Sequence, residues 1–403
     1  MRRYRICRAA AVVTVVVMTV LAVSGCTTFD NFRKAFIDKS GGNDTTVQIG
    51  VFEPISGTES EAAAPEIKGI ELAHELYPSV AGKVVDLIYS DNASDIYAAD
   101  TAIKDLVSKK PAVILGSYGS VYSLVAGDTI LESKIPTIAM TNTNPLVTKN
   151  NPYYFRVCYV DSNQGDILAR YVLESRKEKT AGVLLPEDDD AAMAMATAFT
   201  DRVKTETGNE DAITLYEEYN TGDEDYSKQL EAIRESGVKS VLLPGDMADS
   251  LKIIRQAEKM GLDTLFLGGS DWSTDEFKSM GGSKLSGSNT AFVNFFTSDE
   301  NSTKESEEFL KAYHDKYGAD SDPDNNTALG FDAYMVALKA IEKTDGDVSG
   351  SSVKAVLSGG KTSFKGATGE IRFNNMGDPI KTAYISEWKN GEMETLYTVE
   401  PTL

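Results

Sequence analysis

Three cysteines and two histidines are all that this 403-residue chain offers to redox, zinc or imidazole chemistry. Cys7 and Cys26 belong to an N-terminal leader described below, which leaves Cys158 without a partner. No CxxC pair and no zinc-type spacing occurs, so neither a disulfide nor a metal site is expected. His74 and His314 fall in helical stretches among ordinary surface residues, with no Cys or Ser in motif spacing, and they read as surface positions. The first apolar strand is not followed by GxGxxG, so a dinucleotide site has no support. Gly281-Gly282-Ser283-Lys284 lacks the spacing of a phosphate loop. Asp188–Asp190 lacks the Gly and distal Glu of a calcium loop. With no nucleophile–base pair, metal cluster or cofactor motif, the chain reads as a binder and not an enzyme, and no cofactor is expected. Positive charge is also scarce: 40 Lys and Arg face 61 Asp and Glu, a formal net charge of −21. Such a chain repels nucleic acid and anionic lipid surfaces.

Long apolar runs are absent except for one. Ala9–Val23 is uncharged, preceded by Arg2, Arg3, Arg5 and Arg8, and followed by Ser24-Gly25-Cys26. The run is too short to span a bilayer comfortably and suits the apolar part of a signal peptide. Its end resembles the bacterial lipobox, in which the Cys receives a diacylglyceryl group and becomes the first mature residue. Residues 1–25 are therefore expected to leave as a lipoprotein signal peptide, with Cys26 lipidated and the protein held at the outer face of a membrane. Residues 26–46, including Ser40-Gly41-Gly42-Asn43-Asp44, have no sustained period and read as a tether. Phe29, Phe32, Phe36 and Ile37 mark a short amphipathic turn within it.

Beyond the tether the chain alternates. Short apolar, β-prone runs such as Val47–Phe52, Ala112–Leu115 and Gly182–Leu185 are each followed by a helical pattern. Steady strand–helix alternation means parallel, doubly wound α/β sheets. Two series are legible, separated near Pro152–Tyr159. The expected fold is thus two α/β lobes joined by a hinge of several strands. Lobe 1 takes residues 47–157 and 294–365, and lobe 2 takes 158–293, with 366–403 in lobe 2 and the hinge. Crossings are expected near Arg156–Val160, Asn289–Phe295 and Phe364–Gly369. The focal stretch is Gly116–Pro145, where hydroxyl-rich loops follow two neighbouring strands: Ser117-Tyr118-Gly119-Ser120, then Thr141-Asn142-Thr143-Asn144. Ligands of open α/β sheets bind at that carboxyl edge. A helix starting after Ser120 would point free N–H groups at an anion there. Such loops equally serve as caps and turns.

These residues resemble the leucine/isoleucine/valine-binding proteins of ABC transporters, a branch of the type I periplasmic binding proteins. The resemblance runs from Val47 onward through Pro54-Ile55-Ser56-Gly57, Gly69-Ile70-Glu71-Leu72-Ala73, Tyr89-Ser90-Asp91-Asn92, both hydroxyl loops, Arg156…Asp161-Ser162-Asn163-Gln164-Gly165, Gly268-Gly269-Ser270-Asp271-Trp272 and Gly330-Phe331-Asp332-Ala333. It implies a solute-binding protein that closes on an α-amino acid, most simply a branched-chain one, and delivers it to an ABC permease. By position, Ser120 and Thr143 would hold the ligand carboxylate. The Thr141 carbonyl and the Thr143 hydroxyl would face its ammonium. Asp271 would neutralise that ammonium, unless it only caps the helix after it. The chain departs from the family pattern at two places. Asp190 stands where a carboxylate-clamping tyrosine is expected, and Ala62 or Ala63 replaces another tyrosine. Asp190 would repel a ligand carboxylate, or else simply open a solvated helix. Tyr118, Tyr122 and Trp272 could line an apolar subsite or pack in the core. The departures leave room for an amide, a polyamine or a nucleobase as ligand, and for a surface sensor of the same fold. A monomer is expected.

Overall fold

The computed structural model describes residues 45–285, 289–298, 303–358 and 360–401. The leader, Cys26 and the tether up to residue 44 lie outside the described residues. Val47–Ala81 together with Val85 onward forms one compact unit.

The first sheet is built from β1 (Thr46–Glu53), β2 (Ser79–Val80), β3 (Lys83–Asp91), β4 (Val113–Gly116), β5 (Thr137–Ala139) and β6 (Tyr154–Arg156), in the order β2-β3-β1-β4-β5-β6. The pairs β1–β4, β4–β5 and β5–β6 are parallel. The central strands are short and buried on both faces, which is why they read as unbroken apolar runs. The helices α1 (Ser60–Leu76), α2 (Ile96–Ser108) and α3 (Ser120–Ser133) follow β1, β3 and β4.

The second sheet starts with β7 (Ala181–Pro186), β8 (Ile213–Tyr219), β9 (Ser240–Leu242), β10 (Leu265–Gly268) and β11 (Thr290–Asn294). Its helices are α4 (Asp161–Arg170), which runs on into a π turn at Tyr171–Ser175, α5 (Asp190–Thr207), α6 (Ser227–Ser236), α7 (Met247–Met260) and the short α8 (Asp275–Ser279). Then come α9 (Lys304–Tyr317), α10 (Asn325–Glu342) and α11 (Gly350–Leu357). A small antiparallel sheet of β12 (Phe364–Gly366), β13 (Gly369–Phe373) and β14 (Pro379–Ile380) precedes β15 (Ala383–Lys389) and β16 (Glu392–Val399). Strand β15 adds antiparallel to β11 and β16 antiparallel to β15, which completes the order β16-β15-β11-β10-β9-β7-β8. The chain is therefore a two-lobed α/β protein with a parallel-dominated sheet in each lobe.

Helix α10 is buried on nearly every side, the pattern of a helix enclosed by other elements. It returns the chain to lobe 1 and packs against α1. Two glycines permit the close approach. A Cβ on Gly69 would lie 2.0 Å from the Thr327 carbonyl oxygen, and one on Gly330 would lie 2.1 Å from the Glu66 carbonyl oxygen. This contact fixes where Glu66 of α1 and Asp324, the N-cap of α10, stand relative to each other.

The chain passes between the lobes at Val157–Val160, after β11, and again before β15. Arg156 is fully buried at the first passage. Its Nη1 donates to the Asn142 carbonyl and to the Asn144 carbonyl at 2.9 Å. Its Nη2 donates to Thr148 Oγ1 at 2.8 Å, and Nε lies 2.8 Å from Asp378 Oδ1, a charge contact. At the second passage the Phe295 N–H donates to Asn325 Oδ1 at 3.1 Å. The Phe364–Gly369 hairpin packs on α10, so the third passage follows it, after Phe373. There the buried Lys381 donates to the Val157 carbonyl at 3.1 Å and faces Asp332 at 3.8 Å. Among the described residues no helix is long and apolar enough to cross a membrane. His74 is half-buried instead of lying free on the surface: its Nδ1 is 3.0 Å from the Tyr334 hydroxyl, and the two rings meet edge to face.

Candidate functional site

A groove of about 640 Å³ opens at the carboxyl edges of the two parallel sheets. Tyr118, Gly119, Ser120, Thr141 and Thr143 line it from lobe 1, Ser270 and Asp271 from lobe 2, and Cys158 and Phe295 from the passages between them. The two hydroxyl loops read from the sequence are thus brought together with the Gly268–Trp272 loop.

Local hydrogen bonding fixes both loops. Asn92 Nδ2 donates to Ser117 Oγ at 2.8 Å, Ser123 Oγ donates to Asn142 Oδ1 at 2.6 Å, and Asn142 Nδ2 returns to the Ser117 carbonyl at 2.8 Å. All four side chains are buried, so the network ties the end of β4 to the end of β5 with each member satisfied. Helix α3 begins at Ser120 with no side-chain cap; the Tyr122 N–H turns back to the Gly119 carbonyl at 3.2 Å, and the Ser120 and Val121 N–H groups ahead of it suit an anion. Ser120 Oγ accepts from the Asn144 N–H at 3.4 Å, which leaves its own proton to donate. The Asp161 N–H donates to the Thr143 carbonyl at 3.3 Å, and the Thr141 hydroxyl donates to Glu66. A hydroxyl oxygen accepts whether or not its proton is committed, so both threonine oxygens can receive an ammonium.

Beneath these loops lies a feature that sequence reading missed. Glu53, at the end of β1, and Glu66, on α1, are both 0% exposed. Glu53 Oε2 accepts from the Tyr118 N–H at 2.7 Å, while Glu66 holds Thr141. Burial pushes both carboxyls up, Glu66 to about 8, and each also acts on the other. Two neighbouring carboxyls in a dry site cannot both ionise freely. A sequence signal did exist: Glu66 falls in step with Ile70 and Ala73 on the buried face of α1.

On the lobe 2 wall, Gln164 Oε1 accepts from the Ser270 N–H at 2.8 Å and fixes the loop. Asp271 caps no helix. The cap of α8 is Thr274, whose Oγ1 accepts from the Phe277 N–H at 3.2 Å. Desolvation, with Asp161 and Asp246 adding like charge, pushes the Asp271 carboxyl up to about 7. Burial raises the Asp161 carboxyl to about 6, with the nearby Thr143 hydroxyl opposing the shift. Tyr118 stands among Glu66, Glu276, Glu59 and Asp271; burial first and then these charges push its phenol upward.

Three expected contacts are not made. Trp272 is 1% exposed, stacks on Phe277 at 5.3 Å, and lies so close over Gly268 that a Cβ there would meet its ring at 2.1 Å. Its role is to pack the loop that presents Asp271. Tyr122 is 4% exposed and belongs to the lobe 1 core with Ala126 and Ile130. Asp190 is an exposed first residue of α5 and does not line the groove. Its neighbour Asp189 caps that helix, accepting from Ala191 and Ala192 N–H at 2.9 Å each. The acidic run is thus a solvated helix start. Cys158 reaches the groove wall while buried, and desolvation raises its thiol to about 12. Among the described residues no group of three or more His, Cys, Asp or Glu could hold a metal ion.

Comparison with known proteins agrees with this architecture. A family model described as periplasmic binding protein matches residues 46–392. The Leu/Ile/Val-binding protein homolog 2 of Brucella abortus is 26% identical over 365 residues, covering 89% of this chain and 94% of that protein. The crystal structure of a leucine-binding protein, LivK, from Thermotoga maritima has a TM-score of 0.74 at 28% identity, covering 88% of this chain and 99% of that one. The branched-chain amino acid transporter substrate-binding protein LivJ of Streptococcus pneumoniae, solved with isoleucine, has a TM-score of 0.75 at 26% identity, covering 89% and 100%. The chain belongs to the periplasmic binding protein family.

Proposed function

We propose that this protein is an extracytoplasmic solute-binding protein, lipid-anchored through Cys26, that captures an amino acid or a close relative between its lobes and hands it to an ABC importer. Residues 47–157 with 294–373 would act as one jaw, and 158–293 with the strands after the third passage as the other, the jaws closing about the three passages. The observation that carries the reading is the pairing of opposite binding chemistries across one groove. On one wall, Ser120 and the uncapped start of α3 suit a carboxylate. On the other, Asp271 is an acid raised by desolvation and by the like charge of Asp161 and Asp246, and it suits an ammonium. Relatives named for leucine, isoleucine and valine binding support the ligand class.

A thermal-shift screen against amino acids tests it, because a ligand bound only by the folded state raises the melting temperature. Ser120→Ala and Thr143→Ala are each expected to weaken binding about 10-fold to 100-fold, the worth of roughly 1.5–3 kcal/mol for a hydrogen bond to a charged group. Melting temperatures of the free variants should stay near wild type. Unchanged affinity in both, by calorimetry, places the ligand elsewhere.

Affinity should also depend on pH. The Asp271 carboxyl is held at about 7 in the free protein, and an ammonium favours its ionised form. Binding therefore releases a proton below pH 7, and affinity falls about tenfold per pH unit there. Above pH 8 it levels off. Calorimetry in buffers of different ionisation enthalpy reads that proton directly, and no proton release at pH 6 argues against Asp271 as the ammonium partner.

A further inference from the structure

We propose that Glu53 keeps its proton in the folded protein and donates it from Oε1 to Glu66 Oε2, and that this bridge sets both hydroxyl loops for the ligand from beneath. The second half rests on the reading of the groove as the ligand site; the first half does not. Neither acid lines the groove, so both are positioning residues.

The geometry is reciprocal. Each carboxyl is 0% exposed and commits one oxygen to a groove loop. Glu53 Oε2 accepts from the Tyr118 N–H at 2.7 Å, and Glu66 Oε1 accepts from the Thr141 hydroxyl. The remaining oxygen of each, Glu53 Oε1 and Glu66 Oε2, is buried and meets no donor among the described residues. Two such oxygens in one dry site are costly. A single proton satisfies both, because a protonated carboxyl donates. No cation takes its place. The buried Arg156 and Lys381 pair with Asp378 and Asp332, and among the described residues neither Glu53 nor Glu66 is in an ion pair. Asp324, Tyr118, Tyr154 and Cys158 also act on the two acids, and none of them brings positive charge. Burial first, and then Glu66, push the Glu53 carboxyl well up, which agrees with a retained proton.

The two ends of the bridge are the two ends of the site. Tyr118 leads into Gly119 and Ser120 at the start of α3, where a ligand carboxylate would lie. Thr141 commits its proton to Glu66, which leaves its oxygen to accept an ammonium. Glutamine at position 53 tests both halves, since its amide has a carboxyl's shape and a donor that does not ionise. In Glu53→Gln the amide oxygen still accepts from Tyr118 and the amide nitrogen donates to Glu66.

The full chain in detergent is unfolded with urea at pH 5, 6 and 7, as wild type and as Glu53→Gln. An unfolded glutamate has lost its proton by pH 5 while the folded Glu53 keeps it, so wild-type stability falls as pH rises and that of the variant does not fall with it. The unfolding constant of the wild type, relative to the variant, is expected to rise about tenfold per pH unit. A ratio that does not change with pH means an ionised Glu53 and overturns the bridge. Calorimetry at pH 7 with L-leucine, L-isoleucine and L-valine reads the second half. Glu53→Gln is expected to bind within about twofold of wild type, and Glu53→Ala, which strands the Tyr118 N–H and Glu66 Oε2, at least tenfold more weakly. Glu53→Ala binding as wild type does, or Glu53→Gln binding as weakly as Glu53→Ala, overturns the positioning role. If wild type binds none of the three, the ligand reading fails and takes the positioning role with it, while the urea series still decides the bridge.

Discussion

Asp271→Asn is expected to lower affinity about 100-fold for whichever amino acid binds the wild type most tightly, without loosening the free protein. Removing one partner of a desolvated charge pair costs roughly 2–5 kcal/mol, and 1.4 kcal/mol is a factor of ten. The free protein should respond in the opposite direction. Asp271 holds its proton up to about pH 7 when folded, far above an unfolded aspartate. The folded state therefore binds the extra proton between the two values, and stability falls as pH rises through that window. By pH 8 the wild type bears the cost of an ionised, desolvated carboxylate beside Asp161 and Asp246, and the amide does not. At pH 8 the variant should melt at or above the wild type, while at pH 4 the difference should shrink. Weak binding together with a lower melting temperature at pH 8 would instead make Asp271 a structural residue of its loop.

The architecture was largely legible because parallel α/β sheets write themselves plainly. Ala112–Leu115 and Leu265–Leu267 are short apolar runs closed by glycine, and the helix Ile96–Ser108 is bounded by an Asp cap and ends as expected. The carboxyl-edge loops followed from strand direction alone. Side-chain burial was less legible. Tyr122 and Trp272 sit beside site residues in sequence, yet one faces the core of its lobe and the other lies on Gly268. Neighbours in a helix turn or a tight loop point in different directions, so adjacency does not confer access. The Glu53–Glu66 pair was hidden for another reason. A carboxyl is ordinarily a surface group, and only tertiary contact brings the end of β1 against α1, where two acids can share protons. Asp324 was passed over in the same way. Its capping role can be read locally, but its burial depends on α10 lying against α1.

Arg156 links that site to the hinge, and its loss should be the most damaging single change to the fold. The side chain is wholly buried, and the groups it meets come from the Asn142–Asn144 loop, from Thr148 and from Asp378. The Asn142 and Asn144 carbonyls flank Thr143, Thr148 lies beyond them, and Asp378 belongs to the stretch that leads into the third passage. Arg156→Ala strands two loop carbonyls and the Asp378 carboxylate at once. Breaking a buried pair from one side typically costs about 3–5 kcal/mol. Urea unfolding should show that loss as a lower midpoint with a similar slope. Arg156→Lys should recover only part of it, since a lysine keeps the charge but cannot spread its donors over separate acceptors. Asp378→Asn, combined with each variant in a double-mutant cycle, should return a coupling of roughly 1–2 kcal/mol for the charge contact. Binding should fall further than stability alone explains, because Thr143 hangs between the two carbonyls that Arg156 holds. If Arg156→Ala unfolds at the wild-type midpoint and binds normally, the hinge and the hydroxyl loop are not one mechanical piece.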